Sequence, residues 1–138
     1  EQPIPHDTDG DFGILTWPRM RRRVGPFRLS KIFHHEGVES EAAYIHDNGV
    51  KIDLFRFFEK GSQRYWVGWP DEMPDKETII KYFPKEITDR LKTFTIWGQN
   101  FKIFEQTERW LEMNYGENWR MPDPTFSYHK ELSNEKVS

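Results

Sequence analysis

Short runs in which apolar and polar positions alternate, clearest at 27–30 and 50–54, mark strands with one buried face in the first half of the chain. Residues 10–16 read as a short strand, 27–35 as a second, and 41–46 and 50–58 as a pair joined at Asp47-Asn48-Gly49. Asn-Gly between alternating runs is the strongest short-range hairpin signal. Lys60-Gly61-Ser62 marks the next turn and 63–69 a further strand. Between the first two strands, Trp17 to Pro26 is punctuated by Pro and Gly at both ends and is read as holding a short helical turn. Pro70 to Lys76 is a polar loop, and a brief helix is expected over 76–82.

In the second half, 92–97 and 100–104 form a hairpin around Gly98-Gln99. A helix fits 106–115, where Thr107, Leu111 and Tyr115 recur at helical spacing and Trp110 widens the stripe. Gly116 is its C-cap. No repeat or low-complexity block interrupts the chain. The expectation is an α+β fold: a mixed, mostly antiparallel sheet with few helices over residues 1–126, followed by a frayed polar tail at 127–138.

At 138 residues the length fits one domain. Aromatics make up 16%, with six Trp and eleven Phe, so large rings must carry much of the core. A net charge of −3 offers no overall electrostatic case for nucleic acid. The absence of cysteine excludes disulfides and thiolate metal sites. No apolar run approaches ~20 residues, so no transmembrane segment is expected, and no signal-peptide pattern is visible.

The segment richest in chemistry is Ile4-Pro5-His6-Asp7-Thr8-Asp9-Gly10-Asp11-Phe12-Gly13-Ile14. Acids two apart on a strand leave on one face, where their repulsion invites a cation. Mg²⁺ takes oxygen ligands, often one or two carboxylates plus substrate phosphates. A solvated acidic turn is the plain alternative. A Ca²⁺ loop fails on detail: counting from Asp7, the sixth position is Phe12 instead of Gly and the twelfth is Pro18 instead of Glu.

Arg19, Arg21, Arg22, Arg23 and Arg28 follow closely and are read either as counter-charge for a diphosphate or anionic glycan, or as a solvated basic face. Lys31 is a weaker candidate. His34-His35-Glu36 does not suit zinc, because adjacent residues on a strand point to opposite faces. Tyr65, Trp66, Trp69 and Trp97 are read mainly as core, with stacking on a sugar, choline or base as the alternative.

Three segments together resemble the LicD/fukutin family of phosphotransferases, a branch of the nucleotidyltransferase-fold superfamily. Residues 4–14 resemble its proline-then-acid motif. Residues 49–55, Gly-Val-Lys-Ile-Asp-Leu-Phe, resemble its second acid-bearing strand. Residues 94–122 resemble its closing block: a Phe-x-x-x-Gly hairpin, a helix with Trp110-Leu111, then Tyr115-Gly116-Glu117-Asn118-Trp119-Arg120-Met121-Pro122. The resemblance spans most of residues 4–126.

It implies transfer of a phosphate-linked group, such as phosphocholine or a polyol phosphate, from a CDP-activated donor to a glycan hydroxyl, with Mg²⁺ or Mn²⁺. Asp9, Asp11 and Asp53 would be the catalytic and metal-holding carboxylates, and Asp7 matches an acid often seen just before the pair. His6 stands where the family often has Trp, in a positioning role. Read from the residues alone, Asp53 is a strand-end acid paired with Lys51. Tyr115, Trp119 and Pro122 are read as structural.

The superfamily carries a Gly-Gly or Gly-Ser element, on an earlier strand and helix, that cradles donor phosphates. The sequence begins at Glu1, after the place for it. The expectation is a nucleotidyltransferase-like core lacking its first strand and helix. Its exposed sheet edge would be covered by a second copy or another chain. A non-catalytic relative that binds nucleotides or glycans, and an interaction module completed by another chain, are the competing expectations. The resemblance implies a cytoplasmic or membrane-peripheral setting in bacteria and the Golgi lumen in eukaryotes.

Overall fold

The computed structural model describes residues 9–68 and 78–121. The polar loop expected at 70–76 and the tail from 127 lie outside the described residues, as do His6, Asp7, Trp69 and Pro122. The fold is mixed α+β, mostly antiparallel, with two helices among the described residues. Its strands divide among three sheets instead of the single sheet expected.

The largest sheet has five strands: β1 (Asp9–Ile14), β2 (Arg23–Val24), β3 (Phe27–His35), β4 (Val38–His46) and β5 (Lys51–Arg56), in the order β1-β5-β4-β3-β2. β1 runs parallel to β5, and the other neighbours are antiparallel. The β4–β5 hairpin forms where Asn48-Gly49 predicts it. Gly49 takes φ 93°, a conformation glycine adopts without steric penalty. The Asn48 side chain accepts the Val50 N–H at 3.0 Å, and His46 Nδ1 accepts the Asn48 N–H at 2.9 Å.

The helical turn expected within 17–26 does not form. The Tyr44 hydroxyl donates to the Arg21 carbonyl at 2.7 Å, and the Leu29 N–H donates to the Arg22 carbonyl at 2.8 Å. Both carbonyls are therefore committed to tertiary bonds and not to a helical ladder. The segment crosses irregularly from β1 to β2 at the far sheet edge.

The strand expected over 50–58 is divided at Phe57. Its N–H bonds the Ile14 carbonyl at 3.0 Å, and its ring turns into the core. β6 (Phe58–Lys60) then opens a three-stranded sheet with β7 (Gln63–Gly68) and β8 (Ile79–Pro84). The helix expected over 76–82 is instead largely β8. Ile79-Ile80-Lys81-Tyr82-Phe83 is β-branched and aromatic, and pairs antiparallel along the length of β7. A short helix, α1 (Lys85–Asp89), follows it.

The remaining elements are the hairpin β9 (Leu91–Ile96) and β10 (Gln99–Phe104), then α2 (Thr107–Tyr115). α2 stops at Gly116, whose N–H bonds the Glu112 carbonyl at 2.8 Å. Its inward face is Trp110, Met113 and Asn114, and not the stripe through Tyr115, which is exposed.

The core is aromatic, as the composition requires. Phe57, Trp66 and Phe83 form its centre, with Leu15, Phe55, Phe104, Trp110 and Met113 packed around them. Rings meet edge-on at Phe57–Phe104 and Phe55–Trp66, with centroids 5.9 and 5.8 Å apart. The Trp66 indole donates to Asn114 Oδ1 at 3.0 Å, which satisfies two polar groups inside this core. Lys81, with 2% of its surface exposed, donates to the Met113 carbonyl at 3.2 Å. That carbonyl is among the last four of α2, which lack intrahelical partners, so the ammonium caps the negative end of the helix. Burial pushes the Lys81 pKa down. No helix among the described residues is long and apolar enough to cross a membrane.

Candidate metal and phosphate site

Register assigns each side chain of the five-stranded sheet to a face. Asp11 on β1 is the partner of Asp53 on β5, which is the partner of Ala43 on β4, itself the partner of Lys31 on β3. Partners in register share a face, with neighbouring strands ~4.8 Å apart. One row across the sheet is therefore Asp11, Asp53, Ala43, Lys31. The row on one side is Lys51, Ile45, Arg28, Arg23, and on the other Gly13, Phe55, Glu41, Phe33. The register slip between Leu29 and Lys31 is what puts Arg28 and Lys31, three residues apart, on the same face.

The structure thus brings Asp11 and Asp53 together. It places the Asp9 backbone opposite Lys51, while the side chain of Asp9 lies outside the described residues. Asp53 is 7% exposed, and Lys51 Nζ stands 3.3 Å from its Oδ2. The ion pair expected from the residues alone is therefore present, on the same face as the acids.

Glu41 was not singled out in the sequence. It lies diagonally across from Asp53 and is 7% exposed. Burial, reinforced by the charges of Asp53 and Asp11, pushes its carboxyl up to about 7, against a partial opposing effect of Lys51. A signal was visible: Glu41 is the acid inside Ser40-Glu41-Ala42-Ala43-Tyr44, a stretch of β4 otherwise made of small and aromatic residues. The polar side of the sheet face gives way at this row to the aromatic core, which begins at Phe55.

The arginines divide. Arg28 lies on the acid face, exposed, two strands from Asp53. Arg23 shares that face at the far edge and pairs with Asp47 at 3.4 Å. Arg19, Arg21 and Arg22 do not join the acids. The Tyr44 ring points to the opposite face from Ala43 and Asp53, and it is the Tyr44 hydroxyl that holds the Arg21 backbone.

The other candidates take dull roles, with one exception. Trp66 is core, and Tyr65 lies between Phe58 and Tyr82 at 5.1 and 5.0 Å. Trp119 packs under Arg120, with the guanidinium 4.3 Å from the ring. His34 and His35 are half-buried on β3. Trp97 is 73% exposed at the tip of the β9–β10 hairpin.

Two carboxylates on neighbouring strands match what Mg²⁺ takes from a protein when substrate phosphates and water complete its shell. Among the described residues, no group of three His, Asp or Glu side chains is placed to hold a metal ion by itself. A third protein ligand would have to come from outside the described side chains, where Asp9 and Asp7 lie. No family model, curated protein or solved structure matches this chain.

Proposed function

We propose that the protein is a metal-dependent phosphotransferase of the LicD kind, with a nucleotidyltransferase-like core. It moves a phosphate-linked group, phosphocholine or a polyol phosphate, from a CDP-activated donor to a glycan hydroxyl. Asp11 and Asp53, with Asp9, hold Mg²⁺ or Mn²⁺, which would neutralise charge on the donor diphosphate. Asp53 also accepts the proton of the attacking hydroxyl. Arg28 and Lys31 supply positive charge further along the same face, where a donor phosphate or an anionic acceptor can lie across the sheet.

The observation that carries the proposal is the register partnership of Asp11 with Asp53, one of them almost fully buried. Two neighbouring carboxylates on one face, one desolvated, form an arrangement that a divalent ion relieves. The test is release of CMP from CDP-choline and CDP-ribitol with Mg²⁺. Turnover that is lost in both Asp53→Asn and Asp11→Asn supports the assignment. Turnover that survives both substitutions rules it out.

The Lys51–Asp53 contact favours a second reading, a relative that binds nucleotide without turning it over. There a built-in cation stands where the metal would otherwise act. Calorimetric binding of CDP with no CMP release from either donor would select it.

A further inference from the structure

We propose that Pro18–Arg22 forms a second anion site, on the face of the sheet turned away from the carboxylates, and that it takes the phosphate groups of a base-free anionic polymer. It stands independently of the phosphotransferase assignment, because none of its residues belongs to the acid face.

Four observations lead to it. Pro18, Arg19, Met20, Arg21 and Arg22 line an open depression of about 750 Å³. The segment is anchored through its backbone and flanks: Tyr44 holds the Arg21 carbonyl, Leu29 holds the Arg22 carbonyl, and the Trp17 indole donates to Glu39 Oε2 at 3.0 Å. Those anchors use no guanidinium, and Arg19, Arg21 and Arg22 are exposed, so three cationic side chains leave the surface from one anchored stretch of backbone. Among the described residues, the ion pair of this stretch belongs to Arg23, with Asp47, and no carboxylate neutralises Arg19, Arg21 or Arg22. A chain of net charge −3 nonetheless concentrates these cations on one short segment.

The chemistry selects the ligand. Guanidinium forks match phosphate oxygens in pairs. Single exposed ion pairs are weak, so one free phosphate touching one or two of these arginines gains little. A polymer engaging all three at once also releases its condensed counterions, which gives useful affinity. Single-stranded nucleic acid would need aromatic platforms for its bases, and none of the described residues lining the depression is aromatic. A polymer of phosphates without bases fits best.

The experiment titrates the full chain with long-chain inorganic polyphosphate, orthophosphate and single-stranded DNA at several salt concentrations, following binding by calorimetry. Polyphosphate should bind with a log–log salt slope of about −2, as three contacts to a single strand require. The triple variant Arg19→Gln, Arg21→Gln, Arg22→Gln should weaken binding about thirty-fold with an unchanged far-ultraviolet CD spectrum. The matching Lys variant should fall between, since it keeps charge and loses the fork. Asp53→Asn should bind polyphosphate like the parent chain. Unchanged polymer binding by the Gln variant overturns the proposal. Equal affinity for orthophosphate, or tighter binding of DNA than of polyphosphate, also overturns it.

Discussion

The Phe57 ring lies directly over Gly13, where a β-carbon would stand 2.3 Å from Phe57 Cε2. Gly13 is on the acid face of β1, two residues from Asp11, and Phe57 is 5% exposed at the centre of the core. The missing side chain lets β1 lie under the aromatic cluster while it pairs with β5. Gly13→Ala forces a buried ring to move and should destabilise by about 1–3 kcal/mol, the range of overpacked cores. Urea unfolding checks it: the midpoint should drop with little change in slope.

Glu41 makes stability depend on pH in a direction opposite to most acids. Below its ordinary value of 4.5 the carboxyl is protonated in both folded and unfolded chains and has no effect. Between 4.5 and about 7 the unfolded chain releases the proton while the folded chain keeps it, so stability falls as pH rises. Above 7 the loss is complete, roughly 3 kcal/mol at most. Glu41→Gln should therefore raise the melting temperature at pH 8, leave it nearly unchanged at pH 4, and flatten the profile between. A profile parallel to the parent's would show that the Glu41 carboxyl does not carry the effect.

Trp97 and Gly98 take φ 53° and 72° at the β9–β10 turn. That backbone is the type I′ hairpin turn, which favours Asn-Gly, and a bulky residue at its first position is strained. The indole is 73% exposed and recovers little through burial. Trp97→Asn should stabilise the protein by about 1 kcal/mol, read as a rise in melting temperature. A fall would mean that the indole packs favourably in solution.

Much of the fold was legible, and the misreadings have physical causes. β3, β7, the β4–β5 hairpin and α2 follow from period-two and helical spacing with clear punctuation at Asn48-Gly49, Gly61 and Gly116. β8 was misread because its short apolar run carries no period of its own, and only its partner β7 decides between strand and helix. The break at Phe57 is tertiary: the ring leaves the strand to enter the core. For the site, Asp11 and Asp53 were legible as acids on predicted strands, but their register was not. Glu41 acquires its raised pKa from burial and from Asp53, a strand away. The separation of Arg19, Arg21 and Arg22 from the acids depends on which face the crossover takes, which spacing along the chain does not encode.

The central claim is that Asp11 and Asp53 jointly hold a divalent cation, and Mn²⁺ titration followed by electron paramagnetic resonance addresses it without requiring turnover. The parent chain should bind Mn²⁺ more tightly when CDP is present, competitively with Mg²⁺. Asp11→Asn and Asp53→Asn should each weaken binding at least about tenfold, and the double variant hardly further, since both act on one ion. Mn²⁺ affinity unchanged in both single variants, with and without CDP, would contradict the account.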